Sequence, residues 1–196
     1  KERLRESALL ERDGVVYGFE MQLYRRAGTV IWVRDVARTV RDAQGQVLWY
    51  EGSLEDITAR KRAEKVQDVV YKISLAAVST ESLEELYHSI HGILGELMSV
   101  ENFYIALYDP ASDLLSFPYF VDQYDESSPP KKLGHGLTEY VLRTGHSLLA
   151  PQEVFDQLIQ QGEVESVGTN SINWLGVPLK VKERVIGVMA TQSYTE

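Results

Sequence analysis

Residues 47–77 read VLWYEGSLEDITARKRAEKVQDVVYKISLAA, and this stretch decides how the chain is organised. Its first ten residues are rich in the Val, Leu, Trp and Tyr side chains that favour strands. After Asp56-Ile57-Thr58, small or apolar residues recur at alternating steps of four and three, which is the spacing of a helix seam. A strand that runs directly into a helix predicts two modules, one of which can pass a twist or a shift to the other.

The composition indicates a folded chain and excludes several chemistries. Its 196 residues are 44% hydrophobic and 25% charged, as in ordinary globular proteins. The absence of cysteine excludes disulfides, thiolate metal sites, a cysteine nucleophile and a thioether-linked chromophore. No apolar stretch approaches the roughly 18 residues of a membrane span, and no signal-peptide pattern opens the chain. We therefore expect no membrane insertion by this chain and a cytoplasmic location.

The charge changes sign between the two modules. Residues 1–65 carry 13 Lys and Arg against 11 Asp and Glu, whereas residues 66–196 carry 7 against 18, a net charge of −11. A polyanion is repelled by such a surface over a Debye length of roughly 10 Å. We therefore expect no nucleic-acid partner.

The first module contains three predicted strands joined by glycine-containing turns, which favours an antiparallel meander. Its last strands carry three short motifs in the order and spacing of the C-terminal half of a PAS domain: Trp32-Val33-Arg34, Asp42-Ala43-Gln44-Gly45 and Asp56-Ile57-Thr58. Residues 12–62 resemble that family. The resemblance implies that residues 1–57 are the C-terminal part of a PAS-like domain with a partial antiparallel three-stranded sheet.

Residues 58–80 form the predicted connecting helix. Five seam positions are predicted to pair with a second copy of the chain: Ala63, Val66, Val70, Ile73 and Ala77. A homodimer would also cover the apolar face that three strands leave open. The alternative interpretation is a helix packed against its own domain.

Residues 81–196 follow the order helix, two strands, helices, two strands. Ser82 and Glu85 form a capping box at the first helix. Five phrases carry a resemblance to a GAF domain over about residues 66–196: 101–108 (ENFYIALY), 117–122 (FPYFVD), 136–141 (GLTEYV), 174–179 (WLGVPL) and 185–188 (VIGV). The resemblance implies an α+β chain whose second module is a GAF-like antiparallel sheet flanked by helices. We expect this domain to lack the family's last helix.

In GAF domains these elements surround the ligand side of the sheet, so the resemblance also implies a candidate ligand pocket for an unknown small molecule. Its candidate residues are Tyr104, Phe117, Tyr119, Gly136, Tyr140 and Trp174. The alternative is plain core packing of the aromatic side chains. The turn Gly134-His135-Gly136 before a helix is a candidate rim that could offer N–H groups to an anion, or a purely structural turn.

Other site chemistries find little support in the sequence. His88 and His91 lie one helical turn apart, but no further histidine lies at a helical step beside them, so no metal site is predicted. The cyclic-nucleotide motif of GAF domains is absent, and no arrangement of catalytic side chains stands out. We predict no cofactor and no catalytic centre in this chain.

The predicted function is that of a sensory or regulatory region in a bacterial signal-transduction protein. By resemblance, its partners are a second copy, a small ligand and a C-terminal output domain, most simply that of a sensor histidine kinase in a two-component system. The alternatives are the regulatory region of a diguanylate cyclase and a dimerisation scaffold that senses nothing.

Overall fold

A computed structural model describes the backbone of residues 2–195 and the side chains of residues 5–195. The chain divides into two compact units, Lys1–Asp68 and Val69–Glu196. The division falls inside helix α2, which spans Thr58–Ser79.

The first unit is a helix followed by an antiparallel sheet in the order β1-β2-β3. Its elements are α1 (Glu2–Asp13), β1 (Val15–Tyr24), β2 (Val30–Arg41) and β3 (Val47–Asp56). Leu10 of α1 packs on Val16 and Ala37 to form a small core. Within residues 2–195, strand β3 pairs with β2 alone, and all its residues are exposed. The three-stranded antiparallel sheet predicted for this unit is confirmed.

The two hairpin turns depend on glycine. Gly28 and Gly45 have φ angles of 85° and 84°, in the left-handed region that other residues rarely adopt. In the second turn, Asp42 Oδ1 accepts the backbone N–H groups of Gln44 and Gln46 at 2.9 and 2.8 Å. These local hydrogen bonds fix where β2 ends and β3 begins.

Polar contacts tie the start of α2 to the first sheet. Thr58 Oγ1 accepts the backbone N–H of Trp32 at 2.9 Å, and Ile57 beside it is buried. The side chains of Lys61 and Arg60 contact Glu20 of β1 at 2.6 and 2.5 Å. Their hydrogen bonds lower the pKa of Glu20 from 4.5 to about 2. The first turn of the helix is thereby anchored on the strands of its own unit.

Helix α2 buries a different stripe from the one predicted as its seam. Val69 and Ala76 are buried, whereas the predicted seam is exposed at four positions and half-buried at Ile73. The four exposed positions are Ala63, Val66, Val70 and Ala77.

The second unit is a six-stranded antiparallel sheet in the order β6-β5-β4-β9-β8-β7, with helices packed against it. The strands are β4 (Asn102–Asp109), β5 (Leu114–Val121), β6 (Lys131–Lys132), β7 (Leu148–Pro151), β8 (Asn173–Val181) and β9 (Arg184–Ser193). The helices that follow α2 are α3 (Leu83–Leu94), α4 (Leu137–Thr144) and α5 (Gln152–Gln160). The predicted α+β class, with a GAF-like antiparallel sheet flanked by helices, is confirmed.

Alternation along β4 divides this unit into two apolar clusters. Tyr104 and Ala106 point to the side that α4 packs on, and Phe103 and Ile105 point to the side of α3. The capping box at α3 forms as the sequence predicts, because Ser82 Oγ accepts the Glu85 N–H at 3.2 Å. The two short edge strands, β6 and β7, were not predicted.

Candidate functional site

A cavity of about 300 Å³ lies on the α4 side of the second sheet. Strands β4, β5 and β8, the start of α4 and the loops at 122–130 and 161–172 contribute to its wall. The volume is at the lower end of the range for small-molecule pockets. It provides space for roughly ten groups the size of a water molecule, at ~30 Å³ each.

A buried group of three polar side chains borders this cavity. Trp174 Nε1 donates to the Tyr104 hydroxyl at 3.0 Å, and that hydroxyl shares a hydrogen bond of 2.7 Å with Thr138 Oγ1. Burial raises the pKa of Tyr104 to about 12, against the opposing effect of these hydrogen bonds. The hydroxyl is therefore neutral at physiological pH and can both donate and accept. We call Tyr104, Thr138 and Trp174 the polar triad.

The position of the Trp174 ring depends on the residue two places further along β8. A Cβ atom on Gly176 would overlap the Trp174 ring, because side chains at i and i+2 of a strand lie on the same face. Glycine at 176 thus allows the indole to lie back along its own strand and to reach Tyr104.

An aromatic wall stands beside the triad. The rings of Phe117 and Phe120 lie 5.8 and 5.6 Å from the Tyr104 ring, centroid to centroid, and 6.1 Å from each other. These separations are typical of favourable aromatic pairs. Lys131 Nζ lies 5.6 Å from the centroid of the Phe117 ring, a distance that permits a cation–π interaction.

Glu139 is the most deeply buried charged residue of the cavity lining. It is only 6% exposed, and its Oε1 accepts the backbone N–H of Gly134 at 3.2 Å and lies 3.9 Å from Lys131 Nζ. Glu139 is the third residue of α4, where the helix dipole stabilises a negative charge. Gly134, in the turn predicted as a possible anion site, therefore donates its N–H to a carboxylate of this chain.

The loop at 161–172 is fastened over the cavity by Asp125. Its carboxylate accepts the Thr169 N–H at 3.0 Å from Oδ2 and the Thr169 hydroxyl at 3.0 Å from Oδ1. Gly168 has a φ of 76° and no room for a Cβ beside this carboxylate. The Glu165 N–H also donates to the His135 carbonyl at 2.7 Å. The loop is thus held at two points.

The structure brings four of the six predicted pocket residues together. Tyr104, Phe117, Gly136 and Trp174 line the cavity, and Tyr119 and Tyr140 lie outside it. Tyr140 is half-buried on α4, with the Arg143 guanidinium 5.4 Å from its ring.

The location of Tyr119 follows from a β-bulge. Ile105 pairs with Tyr119 while Leu107 pairs with Ser116, so two residues of β5, Phe117 and Pro118, oppose one residue of β4. The extra residue shifts the alternation, and Phe117 shares the cavity face with Phe120 instead of Tyr119. The bulge falls at the one proline of the strand, which has no N–H for the ladder.

Tyr119 instead contacts His91 of α3. The Tyr119 hydroxyl lies 2.7 Å from His91 Nδ1, and His91 Nε2 lies 2.7 Å from the Val100 carbonyl. Because a carbonyl only accepts, Nε2 carries a proton. The His91 ring also stacks on Phe103 at 4.9 Å. Among residues 5–195, no group of three His, Asp or Glu side chains is placed to hold a metal ion.

Several residues of this site were not predicted from the sequence. Glu139 was not predicted, although a Glu at the third position of a helix is a recognised capping signal. Phe120, Lys131 and Thr138 were not among the predicted pocket residues either, although Phe120 and Thr138 lie in two of the phrases that carry the family resemblance.

An antiparallel sheet with helices on both faces and a lined cavity on one of them defines an α+β domain. The sequence model of the GAF domain family matches residues 80–196. The chain therefore belongs to the GAF domain family, whose members are typically regulatory or sensory ligand-binding domains. In the part of the chain that the structure describes, no helix is long and apolar enough to cross a membrane.

Solved structures share this fold. The GAF domain of the phosphoenolpyruvate-protein phosphotransferase of Coxiella burnetii has a TM-score of 0.54 at 15% identity, over 67% of this chain and 79% of that one. The nlh2 GAF domain of A. aeolicus has a TM-score of 0.52 at 21% identity, over 69% and 83%.

An enzyme shares the fold as well. Free methionine-R-sulfoxide reductase of Neisseria meningitidis, solved with its substrate, has a TM-score of 0.52 at 19% identity, over 68% and 75% of the two chains. These identities establish the fold alone. No curated protein sequence matches the chain significantly.

Proposed function

We propose that this chain is the sensory region of a bacterial signal-transduction protein and that its GAF domain binds a small molecule in the cavity. The observation that carries this proposal is the polar triad beside an aromatic wall and an open volume of about 300 Å³. If these side chains served only for packing, their neighbours would fill the volume beside them, since protein interiors are packed nearly as densely as crystals. Specificity in such pockets comes from a few placed polar groups.

The proposed organisation has three parts. Residues 1–57 are the C-terminal part of a PAS-like domain, residues 58–80 a connecting signalling helix, and residues 81–196 the sensing domain. The direct junction between β3 and α2 supports this division, because the helix starts two residues after the strand ends. We place the chain in the cytoplasm and assign it a C-terminal output domain, that of a sensor histidine kinase.

The signal is proposed to reach that output through a helix pair. Val66 and Val70 are 50% and 58% exposed, which costs free energy for apolar side chains unless a partner covers them. A ligand that binds one arrangement of the pair more tightly than another shifts their populations. This is the simplest way for a cavity to control a distant output.

The sensing part is tested by binding of a metabolite library to the whole chain, followed by thermal melting and by the indole N–H resonance of Trp174. A ligand at 100 times its Kd stabilises the fold by about 2.7 kcal/mol. A ligand that shifts both readouts supports sensing. A library that changes neither would contradict it and leave a dimerisation scaffold as the function.

The helix pair is tested by light scattering on two double variants. Val66→Lys with Val70→Lys places four lysines in the seam of a dimer and is expected to give the monomer mass. The matched control, Tyr71→Lys with Val78→Lys, changes exposed apolar residues of the same helix outside the seam and is expected to keep the mass of the unaltered chain. A dimer that survives the first change or dissociates only with the second refutes the predicted seam.

The assignment of the output is tested by the coding sequence that follows the codon for Glu196. A phosphoacceptor helix with an ATP-binding domain supports the kinase, and autophosphorylation then becomes the assay. A diguanylate cyclase domain there would replace the kinase assignment.

A further inference from the structure

We propose that the cavity of the GAF domain takes an organic cation, namely a protonated amine carried on an apolar or aromatic body. This inference rests on the proposed function, since it names the chemical class of the ligand for the same cavity. Four features of the site carry it: the balance of charge, the buried Glu139 carboxylate, the location of Lys131 and the aromatic wall.

The balance of charge in the lining is strongly negative. Among the described residues that line the cavity there are four carboxylates, those of Asp125, Glu126, Glu139 and Glu165, against the single ammonium of Lys131. The Asp125 carboxylate already accepts hydrogen bonds from the N–H and the hydroxyl of the loop residue Thr169. Glu126 and Glu165 are exposed, and no side chain in the described part of the chain forms an ion pair with either of them. The entrance therefore attracts cations and repels anions.

Glu139 provides the anchor for a positive charge. Glu139 is only 6% exposed, yet within the described residues its carboxylate receives a hydrogen bond at Oε1 alone, from Gly134. No donor in the described residues contacts Oε2. If this oxygen were fully buried it would lack a partner, but no such unpartnered buried side-chain atom exists in the described part of the chain. Oε2 is therefore not fully buried, and Glu139 belongs to the lining of the cavity, so this oxygen is available to a ligand there. A charged acceptor in this position gives a stronger hydrogen bond to a cationic donor than to a neutral one.

Lys131 shows that the site accommodates an ammonium group. Its Nζ lies 3.9 Å from Glu139 Oε1 and 5.6 Å from the centre of the Phe117 ring. An anionic neighbour and an aromatic face are the two features that recognise alkylammonium ions. The Lys131 side chain is 39% exposed and sits on a two-residue edge strand, so it can move out towards solvent. A ligand amine can then take the place beside Glu139.

The remainder of the wall defines the body of the ligand. Tyr104, Phe117, Phe120 and Trp174 form its aromatic part. A body of one ring with a short arm fits in about 300 Å³. A ligand with a free carboxylate must approach Glu139 and the rim carboxylates, with Lys131 as the only balancing charge among the described lining residues. The site therefore discriminates by charge first and by shape second.

The test uses the whole chain and three probes of nearly equal size: 2-phenylethylamine, which is protonated at pH 7 as lysine is, 2-phenylethanol and 3-phenylpropionate. Binding is followed by calorimetry and by the Trp174 indole N–H resonance, assigned through the Trp174→Phe variant. The amine is expected to bind at least about tenfold more tightly than the alcohol, and the carboxylate more weakly than both.

Three variants test which residues cause the preference for the amine over the alcohol. Glu139→Gln keeps the shape and the acceptor for Gly134, and is expected to remove the preference for the amine over the alcohol. The matched control Glu163→Gln alters an exposed carboxylate that pairs with Arg143 outside the cavity, and is expected to leave that preference unchanged. Lys131→Gln removes the competing ammonium and is expected to tighten amine binding severalfold.

The outcomes separate this inference from the proposed function. Equal or tighter binding of the alcohol or the carboxylate overturns the cation assignment while the pocket remains a ligand site. Weaker amine binding in Lys131→Gln overturns it as well. If none of the three probes binds at millimolar concentration the inference fails. Only a metabolite library that also leaves Trp174 unshifted overturns the sensing function itself.

Discussion

Replacing Tyr104 by Phe is the sharpest test of the polar triad. The change removes one oxygen atom and leaves the ring, so the packing against Phe117 and Phe120 is retained. The Trp174 N–H then loses its acceptor in a buried place, which costs about 1–3 kcal/mol, and the bond to Thr138 is lost as well at about 1 kcal/mol. We expect a destabilisation of about 2–4 kcal/mol.

The effect is measured by urea unfolding and by melting of the whole chain. For a unit of this size each kcal/mol lowers Tm by roughly 3–6 °C, so a fall of roughly 6–24 °C is expected. The control is Tyr140→Phe, because the Tyr140 hydroxyl forms no hydrogen bond within residues 5–195 and its removal should change the stability by less than about 0.5 kcal/mol. An equal effect of both changes would refute the role assigned to the triad.

A double-mutant cycle apportions the energy within the triad. Thr138→Val keeps the shape of the side chain and removes its hydroxyl. The combined Tyr104→Phe and Thr138→Val variant is expected to be more stable than the sum of the single changes predicts, by about 0.5–1.5 kcal/mol. Strict additivity would mean that the 2.7 Å contact contributes nothing.

Three further changes test other parts of the structure. Glu20 has a lowered pKa, so its ion pairs stabilise the first unit above pH 4.5 and are lost as the pH falls towards 2. In the Glu20→Gln variant the free energy of unfolding should therefore depend less on pH between 4.5 and 2. The same pH dependence in the variant and in the unaltered chain would count against these contacts. Gly176→Ala should displace the Trp174 ring and cost about 1–3 kcal/mol, and an unshifted indole resonance would contradict the overlap. Asp125→Asn weakens the fastening at Thr169, so hydrogen exchange of the 161–172 loop should accelerate at unchanged global stability; equal exchange rates would show that the loop is held elsewhere.

Turn chemistry explains why so much of the fold could be predicted from the sequence. Gly28 and Gly45 adopt positive φ angles in the two hairpin turns that the sequence predicts, and Gly145, also at positive φ, ends α4. The short strands β6 and β7 escaped prediction because two to four residues carry no periodic pattern. Their existence depends on the neighbouring strands, β5 and β8, to which they pair.

The site was predictable only where alternation is regular. On β4, the period of two correctly puts Tyr104 and Phe103 on opposite faces. On β5, the bulge at Pro118 inserts one residue, so Phe117 shares the cavity face with Phe120 and Tyr119 lies on the α3 side. A proline inside an apolar strand is the available signal, because it marks a bulge or an edge strand and the alternation shifts where a bulge inserts a residue.

Glu139 shows why a local motif did not reveal the chemistry of this cavity. The turn before α4 offers backbone N–H groups, and by itself it favours an anionic ligand. The chain folds its own carboxylate onto that turn, and Oε1 takes the Gly134 N–H. The helix dipole that would have attracted a foreign anion stabilises Glu139 in a buried place instead. The second carboxylate oxygen, Oε2, remains available in the cavity. The turn that resembles an anion site therefore forms, in the folded domain, part of a site for a cation.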